Sequence, residues 1–232
     1  KKIALELGGN AAVVIDEVSD YETIARKVAT GAFLYAGQIC ISTQRILVHT
    51  NILESFKKVL IKEIESLNVG DPKDDKVSVG PLIDKSHLER ISQWCAEAVN
   101  GGAVAITGGK VFNDKQNIFM PTLFENVESP MKVVDEEVFG PVAIIDSFQN
   151  FSEAIEMVND SKYGLQVGVY TDSIANLKRC HEELEVAGVI MNDIPGFRID
   201  TMPYGGIKMS GFGREGVKYT MEEMTEPRLI VY

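Results

Sequence analysis

The chain has 232 residues, 45% of them apolar and 25% charged, and carries a net charge of −11 at pH 7. That length suits one large α/β domain or two small ones, and a core of that size needs no disulfides. The acidic balance argues against nucleic acid as a partner, because phosphate binding needs clustered Lys and Arg, and no apolar run approaches the ~18 residues of a membrane span.

In chain order, residues 2–7 read as a strand ended by Gly8-Gly9. Asp20 is a candidate N-cap for a helix whose apolar face, Ile24, Val28 and Phe33, carries it to Gly37. A polar break over residues 38–43 holds Cys40 and leads into a β-rich run at residues 45–49. Residues 52–67 place Ile52, Phe56, Leu60, Ile61 and Ile64 at helical spacing. A polar turn at residues 71–75 follows, and a third helix is expected from Lys85 to Asn100, stopped by Gly101-Gly102. Residues 103–106, 119–124 and 142–145 read as strands. Residues 152–159 read as a helix capped by Ser152, residues 166–170 as a strand, 174–184 as a helix and 188–191 as a strand. The tail has glycine-rich loops, a short helix over residues 215–222 and a final strand at 228–231. Helices alternating with short apolar strands imply βαβ units, hence an α/β fold with a largely parallel sheet flanked by helices.

Three cysteines, Cys40, Cys95 and Cys180, show no CxxC or Cys/His ligand spacing. Neither a disulfide framework nor a metal site is expected, and a reducing, cytoplasmic setting fits best. The apolar stretch at the start is broken at Glu6, so no signal peptide is read there. The chain opens without Met on an already formed motif, which reads as a piece of a longer fold.

Three segments carry chemistry. They are Leu5-Glu6-Leu7-Gly8-Gly9, Gly37-Gln38-Ile39-Cys40 and Glu136-Glu137-Val138-Phe139-Gly140-Pro141, with 34 residues between Glu6 and Cys40 (40 − 6) and 97 between Cys40 and Glu137 (137 − 40). A thiolate is the best side-chain nucleophile near neutral pH, and a carboxylate serves as the base that activates water. Together they suffice for oxidation of an aldehyde through a thioester and its hydrolysis. Taken singly, each segment has a plainer reading. A lone Cys is more often a small buried hydrophobe, Glu-Leu-Gly-Gly is usually a turn, and an acidic pair before Gly-Pro is a solvated loop.

In their order and spacing, residues 5–10 and 37–40 resemble the two signatures of the aldehyde dehydrogenase superfamily. Gly80-Pro81-Leu82-Ile83, Pro121-Thr122-Leu123, Tyr163-Gly164-Leu165 and the stretch from Pro203 to Gly216 extend the resemblance over nearly the whole chain. One departure is Asn10, where the family usually has Lys. The resemblance implies that Cys40 is the nucleophile, Glu6 the base for the deacylating water, and the Cys40 backbone N–H half of an oxyanion hole. It further implies that Glu137, Phe139 and Gly8 meet the nicotinamide half of NAD or NADP, and that Glu215 relays protons from Glu6. Tyr204 stands where the family often has a Phe lining the aldehyde channel. Arg198 tends to face the same channel and suits an anionic tail, with a surface ion pair to Asp200 or Asp193 as the alternative. The glutamate at Glu6 favours hydrolysis over transfer to coenzyme A.

The domain expectation is residues 1–9 as the end of a cofactor-binding domain, 10–209 as the catalytic domain, and 210–232 as a segment returning to the cofactor domain and an oligomer interface. The sequence contains no GxGxxG and no Walker loop, so by this resemblance it is the catalytic half of an NAD(P)-dependent enzyme, inactive alone. Expected partners are a small aldehyde and further copies forming a homodimer or homotetramer. Two other readings compete: a catalytically silent assembly module that pairs through residues 228–231, and a thiol hydrolase. The second lacks a persuasive histidine among His49, His87 and His181.

Overall fold

The computed structural model describes residues 3–232. A seven-stranded sheet organises the molecule. Its strands are β1 (Ala11–Ile15), β2 (Thr43–His49), β3 (Val104–Thr107), β4 (Thr122–Glu125), β5 (Val142–Phe148), β6 (Gln166–Tyr170) and β7 (Gly188–Met191). They lie in the order β7-β6-β1-β2-β5-β4-β3. All neighbours run parallel except the antiparallel edge pair β3 and β4. The longer helices are α1 (Tyr21–Phe33), α2 (Leu53–Glu65), α3 (Lys85–Asn100), α4 (Phe151–Asn159), α5 (Ile174–Glu183) and α6 (Val217–Met224), and a single turn of helix spans Lys132–Asp135.

Alternation along the strands divides the core. Val13, Ile15, Ile46, Val48 and Ile145 cluster with α1, α2 and α3, while Ala12, Val14, Leu47, Val167 and Val169 cluster with α4 and α5. Phe56, Leu60 and Ile64 of α2 are buried on one side of that helix. Burying each such side chain stabilises the fold by roughly 1.5–3 kcal/mol relative to exposure. Covered on both faces, β1 is apolar throughout, the pattern of an interior parallel strand.

Several boundaries differ from the sequence expectations, each for a local reason. β1 is a strand absent from the sequence expectations, although a short apolar run after Gly8-Gly9 is consistent with a buried strand. At the N-terminus only Leu5–Glu6 is strand, paired antiparallel with Gly211–Phe212, and Lys2 lies outside the described residues. The first helix ends at Phe33, not at Gly37, because Tyr35 and Ala36 turn left-handed. The strand expected over residues 119–124 is split at Pro121, which has no N–H for a ladder. The cap of α4 is Asn150, whose Oδ1 accepts from the N–H groups of Ser152 and Glu153; Ser152 is already inside the helix. The last helix begins at Val217. Residues 228–231 form no strand and are exposed. No helix among the described residues is long and apolar enough to cross a membrane.

Candidate active site

Topology gathers the three motifs. Glu6, Cys40 and Glu137 sit in the segments that lead into β1, β2 and β5, which run parallel in the sheet with β2 between the other two. The motifs therefore enter the sheet from one edge. This is the amino end of the strands, opposite to the carboxyl-end crevice usual for open α/β sheets.

The Gly8-Gly9 turn fits between the other two motifs because it has no side chains. A Cβ on Gly8 would stand 2.2 Å from Glu137 Oε2, and one on Gly9 would stand 2.2 Å from the Cys40 carbonyl oxygen. The Gly9 N–H donates to Glu137 Oε1 at 3.0 Å. On the Cys40 side, Tyr35, Ala36 and Gly37 adopt φ values of 53°, 55° and 70° in succession. For the two non-glycine residues this costs roughly 1–2 kcal/mol each. A Cβ on Gly37 would meet the Gly140 carbonyl oxygen at 2.0 Å, so this turn presses against the Glu137 segment. Gln38 then pins the loop: its Nε2 donates to Tyr35 O and Pro81 O, and its Oε1 accepts from the Ile83 N–H.

Cys40 is half-buried, and its Sγ lies 2.9 Å from the Tyr204 hydroxyl. Burial pushes the thiol up to about 11; the Tyr204 hydrogen bond pulls against this, while the Glu6 carboxylate adds to it. One oxygen of Glu6, Oε1, is buried with no hydrogen-bond partner among the described residues. A hydrogen bond with the Glu6 carboxylate is among the causes that raise the thiol. Cys95 and Cys180 are buried in α3 and α5, and burial raises both.

Glu137 is partly buried, and desolvation raises its pKa; the Gly9 N–H opposes that rise, and the like charge of Glu6 reinforces it. Phe139, partly buried beside it, takes a left-handed φ of 46°. Two residues outside the sequence expectations hold this segment. Gln44 donates to Val133 O and Glu136 O and accepts from the Val138 N–H, and Arg90 donates to Val138 O. The available signal for Gln44 was its place among Thr43-Gln44-Arg45, three polar residues opening an otherwise apolar strand. Arg45 is buried and donates to the carbonyls of Asn10, Met157 and Val158, and burial lowers it to about 10. Asn10, at the family's Lys position, is buried and donates to Val134 O.

Tyr204 is 3% exposed and packs with Ile39, Cys40, Ile41 and Leu165. Arg198 stacks over its ring, 4.0 Å from the centroid, and pairs with Glu215 Oε2 at 3.5 Å. Neither Asp200 nor Asp193 is its partner; Asp193 pairs instead with Lys27. Glu215 is thus brought to Arg198, and no bond between its carboxylate and Glu6 is found among the described residues.

Residues 1–230 match the family model described as the aldehyde dehydrogenase family. The chain belongs to the aldehyde dehydrogenase family. Among curated relatives, it is 44% identical over 231 residues to a 3-sulfolactaldehyde dehydrogenase of Priestia aryabhattai, covering 100% of this chain and 48% of that protein. Among solved family structures, it superposes with TM-score 0.90 on a glyceraldehyde-3-phosphate dehydrogenase of Methanocaldococcus jannaschii complexed with NADP. That match is 41% identical and covers 97% of this chain and 48% of the other. Aldehyde dehydrogenase 21 of Physcomitrella patens, in complex with the reaction product succinate, gives TM-score 0.91 at 38% identity, covering 97% of this chain and 47% of that one. The chain therefore spans about half the length of the curated aldehyde dehydrogenases it matches.

Proposed function

We propose that the protein oxidises a small aldehyde with an anionic tail to the carboxylic acid, using NAD or NADP and a covalent thioester on Cys40. The observation that carries this reading is the convergence of Cys40, the buried Glu6 oxygen and Glu137 on one edge of the sheet. The Cys40 proton passes to solvent and the sulfur bonds to the aldehyde carbon as the carbonyl π bond breaks, leaving a negatively charged oxygen that the Cys40 backbone N–H stabilises. NAD or NADP, which Glu137, Gly8 and Phe139 would hold, would supply a hydride acceptor for oxidation at this carbon to the thioester level. Glu6 then takes a proton from water as the water's oxygen bonds to the acyl carbon, and the C–S bond breaks to release the acid and regenerate the thiolate.

The residues present fit a nicotinamide ribose. A carboxylate accepts only, and Glu137 has lone pairs beyond the one used by the Gly9 N–H. The missing Cβ of Gly8 leaves room at its other oxygen, and Phe139 offers an aromatic face to a flat ring. In this reading Arg198 receives the substrate's anionic tail, because it is 44% exposed and its five donors exceed what Glu215 uses. Relatives named for sulfolactaldehyde and aspartate semialdehyde support an anionic substrate. The domain division at residues 9 and 209, a cytoplasmic setting and a homodimer or homotetramer belong to the same proposal. Leu5–Glu6 pairing with Gly211–Phe212 supports grouping the two terminal segments.

The test is NAD(P)H formation by the full-length protein over a panel of neutral and anionic aldehydes. Turnover is expected to fall to background in Cys40→Ala, and anionic aldehydes are expected to give the higher kcat/KM. Turnover retained in Cys40→Ala would sink the thioester route.

A further inference from the structure

We infer that the Tyr204 hydroxyl is the hydrogen-bond donor that stabilises the Cys40 thiolate as it forms, with Arg198 and Glu215 clamping the tyrosine ring in place. The inference rests on the reading of Cys40 as nucleophile and adds a group that reading does not require.

The geometry of the donor comes first. Only 2.9 Å separates the Tyr204 oxygen from the sulfur, and either atom is placed to donate. A phenol is much the stronger donor of the two, since S–H donates weakly. A free thiol is more acidic than a phenol, about 8.5 against about 10, and burial raises both groups here. As pH rises, the sulfur therefore ionises first and the hydroxyl remains a donor to it. Charge-assisted bonds of this type are about twice as strong as neutral ones.

The ring is held from three directions. Its backbone makes a paired bridge with Glu215, the Tyr204 N–H donating to Glu215 O at 3.1 Å and the Glu215 N–H to Tyr204 O at 2.6 Å. Its side chain is buried with Ile41 and Leu165, with Ile39 packed against them. Its face carries the Arg198 guanidinium, which the Glu215 carboxylate holds in turn. A cation over a phenol face favours loss of the phenol proton, so the stacked Arg198 also strengthens the hydroxyl as a donor. The site is otherwise hostile to a thiolate. The charged groups bearing on Cys40 and Tyr204 are Glu6 from the segment before β1 and Arg198 from the loop after β7, with Glu137 acting on Glu6 and Glu215 on Arg198. Glu6 opposes the thiolate, and Tyr204 is the side chain that favours it.

The experiment is alkylation of Cys40 by iodoacetamide in the full-length protein, followed across pH by mass spectrometry of the Cys40 peptide. The wild type is compared with Tyr204→Phe, which keeps the ring under Arg198 and removes only the hydroxyl. A lost hydrogen bond to a charged sulfur is expected to displace the rate profile upward by roughly one pH unit, a fall of about tenfold in rate at a fixed pH below the midpoint. A profile that stays in place, or moves down because the thiol had been donating to the oxygen, overturns the inference. Arg198→Met, at an exposed position, carries the same test if Tyr204→Phe does not fold. An upward displacement smaller than tenfold supports the inference, and an unmoved profile overturns it. Alkylation needs neither cofactor nor aldehyde. A displaced profile in a protein that oxidises no aldehyde would therefore defeat only the proposed activity, and an unmoved profile in an active enzyme would defeat only the role of Tyr204.

Discussion

At the scale of single residues, Glu6 and Cys40 oppose each other before they cooperate. Burial and the Glu6 carboxylate lift the thiol to about 11, so at neutral pH the sulfur rests protonated beside that carboxylate. A raised thiol means that the reactive form is scarce below the midpoint, so alkylation should climb about tenfold per pH unit from neutrality towards pH 11. Glu6→Gln removes the negative charge that disfavours the thiolate. It is expected to move that profile downward and raise alkylation severalfold at pH 8. The same change removes the base, so thioester hydrolysis should slow by about 10²–10⁴ and acyl-enzyme should accumulate, visible as an added mass on the intact protein. An unaltered profile together with normal turnover would show that Glu6 acts on neither step. The sequence pattern picked out Glu6, Cys40 and Glu137, but not the tyrosine–thiol bond. Nothing in a string of residues says that position 204 reaches position 40.

At the scale of elements, the packing of short motifs depends on what caps and pins them. α4 begins at Asn150, whose side chain satisfies two of the helix's free N–H groups, whereas the Ser152 hydroxyl accepts from Arg179. Asn150→Ala should cost about 1 kcal/mol in urea denaturation and Ser152→Ala a fraction of that. A larger loss from Ser152 would reverse this assignment. Most helices and parallel strands were legible because their apolar spacing and caps are local. Asp20, expected as a cap, accepts from the Thr23 N–H, and Asp84, not expected as one, accepts from the His87 N–H at the start of α3. The misses were of two kinds. β1, buried on both faces, shows no alternation, but its continuous apolar run is of the same kind as that read as a strand at residues 142–145. Residues 228–231 have the composition of a strand but lie exposed and pair with no strand among the described residues, and composition cannot supply a partner.

At the scale of the whole molecule, Arg45 joins the site edge to the far layer. From within β2 it donates to Asn10 O just ahead of β1 and to Met157 O and Val158 O at the end of α4. Burial lowers its pKa to about 10, still far enough above neutrality for it to stay cationic. Arg45→Met fills similar space without donors and leaves three carbonyls unanswered. The loss of stability should be at least about 2 kcal/mol, read as a lower urea midpoint with unchanged slope. A neutral result would mean that water replaces the guanidinium.

The sequence by itself determined the chemistry on offer and the family: a thiol, two carboxylates and close-packing glycines at the required separations. It determined the βαβ alternation too, since apolar period and capping are properties of adjacent residues. Tertiary structure alone decided that the three motifs share the amino edge of the sheet, that Glu137 rests on the Gly8-Gly9 turn, and that Arg198 answers Glu215 across the Tyr204 ring. The reason is physical. Each of these contacts joins residues far apart in the chain, and their meeting depends on strand order and register, which no local preference encodes.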